Sequence, residues 1–124
     1  MTVYFLMAGL VCLVTTAFHV FAGGARVVRP MLASQDLNDT MKAVLYGCWH
    51  AFTLLYLGVA AVFIWAGFTP SGVLPAAACA VMAAMLAILS AAVIRRFGQR
   101  FWRLPHWLLF SLAALSGALG VMSA

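Results

Sequence analysis

The sequence predicts an all-α integral membrane protein, a four-helix transmembrane bundle with up-down-up-down topology. Of its 124 residues 67% are hydrophobic, only two are acidic and seven are basic, and the mean hydropathy is +1.12. A soluble domain of this length would need a polar shell that this composition does not supply. The apolar residues also gather into blocks of about 20, the length of a helix that crosses roughly 30 Å of hydrocarbon. We expect spans at about 3–22, 43–68, 74–94 and 104–124, which together form one transmembrane domain over residues 1–124.

The basic residues are confined to alternate connections between these spans, and this pattern predicts the orientation of the chain. Under the positive-inside rule the first and third connections are cytoplasmic, so both termini are expected on the periplasmic side of a bacterial inner membrane. The formal charge of +5 then reflects topology and contact with anionic lipid headgroups, and it requires no nucleic acid partner. The arginines expected to contact lipid or another anion are Arg26 and Arg29 in the first connection and Arg95, Arg96, Arg100 and Arg103 in the third.

The first span carries small and polar residues along one side, a pattern typical of a helix face that packs against protein. These residues are Cys12, Thr15, Thr16 and His19, continued by Gly23. The opposite side is expected to face lipid, and it comprises Phe5, Leu6, Leu10, Leu13 and Phe21.

The first connection is expected to begin where Gly23 and Gly24 interrupt the apolar run. Two glycines after a helix favour a left-handed C-cap or a close backbone approach, and Pro30 disfavours helical geometry at Arg29. The helix should therefore end near residue 22.

The second span is expected to start in the cytoplasmic interface and to enter the bilayer near Ala43. Asp36 is the predicted N-cap, and Asp39 then lies in the first turn, where the helix dipole favours negative charge. Trp65 marks the opposite interface, and the turn at 69–72 follows it.

The third span is rich in alanine, and the fourth begins at Pro105. Pro75 suits the first turn of the third helix. Its alanines fall in two rows of four-residue spacing that allow close helix approach, so we expect this helix to be the most enclosed. The rows are Ala76, Ala80, Ala84 and Ala83, Ala87, Ala91, and the corresponding face of the fourth helix carries His106, Phe110, Ala113, Gly117 and Gly120.

The three histidines form the one constellation that suggests chemistry. In the second span Tyr46, His50 and Thr53 form a polar stripe at i, i+4 and i+7, and His19 and His106 are expected on protein-facing stripes at a similar depth. Histidine binds haem iron, copper or zinc, relays protons, and donates a hydrogen bond to a quinone carbonyl. His19, His50, His106 and Tyr46 are therefore the candidate cofactor-binding residues, with haem b between His19 and His106 as one arrangement.

Structural explanations compete with each of these features. Each histidine can instead hydrogen-bond a neighbouring helix, a contact worth about 0.6 kcal/mol. The three cysteines show no metal-binding spacing and are expected to be buried hydrophobes, and Met82 and Met85 fit core packing better than copper binding. No nucleotide, zinc-protease or serine-hydrolase motif occurs and no carboxylate lies within a span, so we expect neither an enzyme nor a carboxylate-driven antiporter.

One short set of residues resembles small four-helix bacterial inner-membrane proteins. It comprises His19, Phe21, Ala22, Gly23, Gly24, Arg29, Pro30, Trp49 and His50. The resemblance covers mainly the first half of the chain and implies a bacterial membrane location without a particular activity. Small multidrug transporters and fluoride channels are of similar size, but the glutamate of the former and the arginine and asparagine motifs of the latter are missing here.

Three hypotheses of function follow from the sequence. The first is a noncatalytic membrane protein, either an accessory subunit of a larger membrane complex or a self-associating bundle. The second is a histidine-based module that binds haem, a metal or a quinone in the cytoplasmic half of the membrane. The third is a small transporter or pore formed by oligomerisation, because four short helices enclose little volume alone.

Overall fold

The fold, seen in a computed structural model that describes residues 2–124, is all-α, and no strand occurs in that part of the chain. Four helices follow one another along the chain. Their bounds are Thr2–Ala33 for α1, Asp39–Phe68 for α2, Val73–Arg96 for α3 and His106–Met122 for α4. The first three are long and apolar enough to cross a membrane, and α4 is a shorter apolar helix of 17 residues.

The predicted end of the first helix at Gly23 and Gly24 is wrong. The helix changes from α to π geometry over His19–Val28 and returns to α geometry over Arg29–Ala33. The wider π turns accommodate Pro30, which has no N–H to donate and whose ring would crowd the carbonyl one turn back in an α-helix. Arg29 consequently keeps helical dihedral angles, and its N–H donates to the carbonyl of Gly24, five residues earlier.

The left-handed glycine cap occurs at the end of α3 instead. Gly98 has a φ of +60°, and it is the one residue among 2–124 with a positive φ. The N–H of Gln99 donates to the carbonyl of Ile94 and the N–H of Gly98 to that of Arg95, at 2.9 and 3.2 Å. These two bonds define a Schellman motif, which ends the helix and turns the chain toward the short 3₁₀ segment Phe101–Arg103.

The start of α2 is capped by a different residue from the one predicted. The Asn38 side chain accepts a hydrogen bond from the N–H of Met41 at 2.9 Å, so Asn38 and not Asp36 is the N-cap. Asp36 lies in the connection before the helix, where its backbone N–H donates a hydrogen bond to the Ser34 hydroxyl at 3.2 Å. Asp39 lies in the first turn as predicted, because its charge complements the helix dipole whichever neighbour caps the helix.

The helices contact one another in the order α2, α1, α4, α3, with only sparse contact between α2 and α3. Among the three long helices α1 has the largest buried share and α3 the smallest, so the prediction that the alanine-rich helix would be the most enclosed is wrong. Its buried alanines form a single face that packs on α4, and the remaining alanines are exposed or half-buried. Alanine rows permit close approach, but they supply little surface to bury.

Two phenylalanines and two glycines determine how closely the helices of the core approach. A Cβ on Gly120 would lie 2.6 Å from the Phe5 ring, and one on Gly117 would lie 2.7 Å from Phe63. Phe5 and Phe63 are both completely buried, so the prediction that Phe5 faces lipid is wrong. The face was misassigned because Gly120 accepts an aromatic ring from α1, a complementarity that the sequence of α1 does not reveal.

Candidate functional site

His19 lies where α1 changes to π geometry, and it packs against the indole of Trp49 from α2. The two rings are stacked with centroids 3.8 Å apart and planes at 15°. The His19 Nε2 lies 3.2 Å from the backbone carbonyl of Trp49, and this carbonyl also accepts from the Thr53 hydroxyl at 3.2 Å. Because a carbonyl can only accept, the proton of a neutral His19 is on Nε2 in this arrangement.

The stack depends on the absence of a side chain at Gly23. A Cβ at this position would lie 2.6 Å from the Trp49 ring, well inside van der Waals contact. Gly23 therefore lies on the protein-facing side of α1, as predicted. It does not cap the helix; the missing side chain instead makes room for the Trp49 ring.

Two further elements complete an aromatic cluster around His19. Tyr56 of α2 meets the His19 ring edge-on at 5.3 Å, and His106 of α4 does so at 6.3 Å with the planes at 85°. Phe110 lies 5.5 Å from Tyr56 and 6.0 Å from His106. We use the name aromatic cluster for His19, Trp49, Tyr56, His106 and Phe110, which bring α1, α2 and α4 together.

His50 and Tyr46 lie outside this cluster. Both side chains are exposed, and their rings meet edge-on at 4.4 Å on the flank of α2. They line an open cleft of about 290 Å³ beside α1, next to Gly24 and Arg29. The prediction that all three histidines lie on protein-facing stripes is therefore wrong for His50.

The protein-facing stripe of α2 begins three residues later than the predicted one. It runs through Trp49, Thr53 and Tyr56, with the same i, i+4 and i+7 spacing as Tyr46, His50 and Thr53. Sequence reasoning missed Trp49 and Tyr56 because it followed polarity. A usable signal was present: the row continues into Val59, Ala60 and Phe63, all of which are buried.

The buried polar groups are satisfied within the protein. Thr15 and Thr16 donate to the carbonyls of Val11 and Cys12 in their own helix, at 2.7 and 2.9 Å. Across the described residues no buried side-chain nitrogen or oxygen lacks a hydrogen-bond partner. The polar face of α1 therefore requires no ligand to offset its burial.

In this structure the His19 side chain is already engaged, which disfavours a haem b clamp between His19 and His106. The Nε2 of His19 is engaged by the Trp49 carbonyl, so coordination of iron through this nitrogen would require breaking that hydrogen bond. Within residues 2–124 no three histidine, cysteine or acidic side chains come together in a way that could hold a metal ion. Cys12 is buried and Cys79 half-buried, but Cys48 is exposed, against the expectation of three buried thiols.

A groove opens where α2 and α3 diverge. It has a volume of about 270 Å³, and the residues that line it are apolar except for Tyr56, Ser90 and His106. The other lining residues are Phe52, Leu86, Leu89, Val93, Ile94, Leu104 and Phe110. His106 thus links the aromatic cluster to a surface that an apolar molecule can reach.

The six arginines considered above are all exposed, and they fall into three groups. Arg26 and Arg103 line a cleft of about 570 Å³ together with Val27, Gln99 and Leu104. Arg29 lines the cleft beside His50. Arg95, Arg96 and Arg100 line neither cleft, and the Arg96 guanidinium lies 5.9 Å from the centre of the Phe97 ring.

Comparison of the chain with protein-family models, with curated proteins and with solved structures found no match. The short resemblance to bacterial inner-membrane proteins therefore stays a prediction. Any functional conclusion rests on the residues and their geometry.

We expect His19 and His50 to differ sharply in their contribution to stability. Replacing His19 by Leu removes the bond to the Trp49 carbonyl and the ring stack, and should lower the free energy of unfolding by about 1–2 kcal/mol. Replacing the exposed His50 by Leu should change it by less than about 0.5 kcal/mol. Unfolding by sodium dodecyl sulfate in mixed micelles, followed by circular dichroism, measures both values. Equal losses in the two variants would contradict the structural role of the stack.

Proposed function

We propose that the chain is a small polytopic protein of the bacterial inner membrane that acts as a noncatalytic helical bundle and associates with a second copy of itself. The observation that carries this proposal is the outer face of α2. It combines apolar side chains with glycines that have no packing partner in the single chain. A role as an accessory subunit would use the same face.

The character of the exposed surface supports insertion into a membrane. Large apolar side chains cover the outside of each long helix, with exposed fractions of 60% for Leu10, 71% for Leu54 and 71% for Ile88. An apolar surface of this extent is unusual on a soluble monomer and is the expected outer surface of a bundle in lipid. The arginines gather near the α1–α2 and α3–α4 connections, as the positive-inside rule requires of cytoplasmic segments.

Contacts between opposite ends of the helices support an up-down-up-down arrangement. Gly67, near the end of α2, packs on Leu6 near the start of α1, with a hypothetical Cβ 3.2 Å from that side chain. The end of α4 meets the start of α1 at Gly120, where a hypothetical Cβ would lie 2.6 Å from the Phe5 ring. The start of α4 meets the middle of α1 through His106 and Phe18, whose rings are 5.9 Å apart. With 17 residues α4 is about 26 Å long, so it crosses the hydrocarbon only with its flanking residues included.

Reporter fusions test this topology. Alkaline phosphatase joined after Ala124 should be active because the C-terminus is expected in the periplasm, whereas the same enzyme joined after Gln99 should be inactive in the cytoplasm. Green fluorescent protein at the same positions should give the opposite pattern and serves as the control. Inactive phosphatase after Ala124 would indicate that α4 does not cross the membrane and would contradict the four-span arrangement.

The outer face of α2 favours close approach of another helix. Gly47, Ala51, Leu54, Gly58 and Ala61 recur at helical spacing along it, and all are exposed. A glycine inside a helix costs about 1 kcal/mol relative to alanine, and a Cβ on Gly47 or Gly58 would meet no atom within 4 Å. The single chain gains nothing from these glycines, whereas a second helix packed against this face would gain close backbone contact.

Cysteine cross-linking in membranes tests the association. In a background with Cys48→Ala, Leu54→Cys should form a disulfide-linked dimer on oxidation, because residue 54 lies at the centre of the face. Met85→Cys, which is similarly exposed near the middle of α3, is the matched control and should remain monomeric. Adding Gly58→Leu should reduce the Leu54→Cys dimer severalfold. Equal cross-linking at residues 54 and 85 would mean random collision and would contradict a specific interface.

The histidine-based module remains a second candidate, supported by the 6.3 Å separation of the His19 and His106 rings. For this function the His19 Nε2 would have to release the Trp49 carbonyl, so a bound haem, metal or quinone should alter the Trp49 environment and should be lost with His106→Leu. An absorption spectrum with metal and quinone analysis of protein purified in mild detergent measures this. Protein without a chromophore, metal or quinone contradicts the candidate and leaves the noncatalytic function.

A further inference from the structure

We infer that the groove between α2 and α3 and the cleft at Arg26 and Arg103 form one binding site for an anionic phospholipid. The two spaces adjoin, because Leu104 lines both. The inference rests on the proposed insertion into a membrane and adds a specific lipid to it.

The headgroup end of this site carries positive charge without an internal counter-ion. Arg26 comes from the π segment of α1, and Arg103 and Gln99 come from the connection between α3 and α4. The only side-chain carboxylates of the chain belong to Asp36 and Asp39, and neither lines the cleft. Two guanidinium groups and an amide can donate several hydrogen bonds to a phosphodiester, with guanidinium especially suited to paired contacts.

The residues that line the site become less polar from the cleft to the groove, as a lipid does from its headgroup to its acyl chains. Beyond Arg103 the chain passes Leu104 and reaches His106, which lines the groove together with Ser90 and Tyr56. These three side chains can donate N–H and O–H hydrogen bonds to the ester groups of a lipid whose phosphate lies between the arginines. The remaining wall is apolar and suits an acyl chain.

The fold leaves this side of the bundle open. The helix pairs α1–α2, α1–α4 and α3–α4 are closely packed, whereas α2 and α3 touch little. A second copy of the chain is a poor occupant of this site, because Asp36 and Asp39 are the only side-chain carboxylates it could bring to neutralise the two arginines. An anionic lipid instead neutralises the arginines and fills the apolar gap at once.

The site can be tested by measuring which lipid the protein retains. The wild-type chain is reconstituted in phosphatidylcholine discs with and without phosphatidylglycerol, released in mild detergent and examined by native mass spectrometry. We expect one phosphatidylglycerol to be retained in preference to phosphatidylcholine. Replacing both Arg26 and Arg103 by Gln should reduce this preference about tenfold, because each removes one headgroup contact.

Two matched controls distinguish a specific lipid site from the effect of general surface charge and from the effect of any added bulky side chain. Arg95→Gln with Arg96→Gln removes the same charge near the same end of the bundle and should leave the preference unchanged. Ser90→Phe fills the groove and should abolish retention of the lipid, whereas Ala92→Phe, on the exposed side of α3, should not. If the double replacement folds poorly, Arg103→Gln alone can be used instead. It should lower the preference for phosphatidylglycerol over phosphatidylcholine severalfold.

Specific outcomes would overturn the inference. An unchanged preference in the Arg26 and Arg103 variant, or an equal loss in the Arg95 and Arg96 variant, would mean that the cleft does not select the headgroup. Displacement of phosphatidylglycerol by inorganic phosphate, with no effect of Ser90→Phe, would indicate an anion site without a lipid chain. If the protein resists alkaline carbonate extraction but shows no lipid preference, only this inference fails. If it is extracted by carbonate, the proposed membrane function fails as well.

Discussion

The contact between His19 and Trp49 is the interaction on which the arrangement of the helices around the aromatic cluster depends. It joins α1 to α2 through a ring stack and a hydrogen bond to a backbone carbonyl, at the point where α1 leaves α geometry. Such a contact fixes both the axial register and the rotation of one helix relative to the other, because sliding or rotating either helix would break the stack. With α1 and α2 held in this way, Tyr56 and His106 come to the edges of the same imidazole.

The π segment His19–Val28 connects this contact to the charged end of the molecule. A π turn is wider than an α turn and rotates the residues that follow relative to those before. Arg26 thereby reaches the cleft at Arg103, while Arg29 lies on the other flank beside His50. A break at Gly23 would have left both arginines in a loop. The continuous helix instead holds the two arginines at helical positions that point into different clefts.

The molecule therefore has a closed polar centre and an open apolar side. The closed centre is internally satisfied, which argues for a structural role of most of its histidine and threonine side chains. His106 belongs to both regions, since it completes the aromatic cluster and also lines the groove between α2 and α3. A ligand in the groove would thus contact the same residue that links α4 to α1. This shared residue gives a physical route by which a bound lipid could stabilise the bundle.

Composition and apolar spacing determined much of the architecture on their own: all-α structure, four apolar helices, the turn after Trp65, and the polar face of α1 that carries His19. These features follow from local sequence, because hydrophobic length and periodicity act within single helices. The continuation of α1 through Gly23 and Pro30, the burial of Phe5 and the exposure of His50 were decided only by the tertiary structure. Each depends on what lies opposite in another helix: Gly120 for Phe5, Trp49 for Gly23, and an open cleft beside α1 for His50. Such packing depends on two residues from different helices, so the residue pattern within one span cannot predict it.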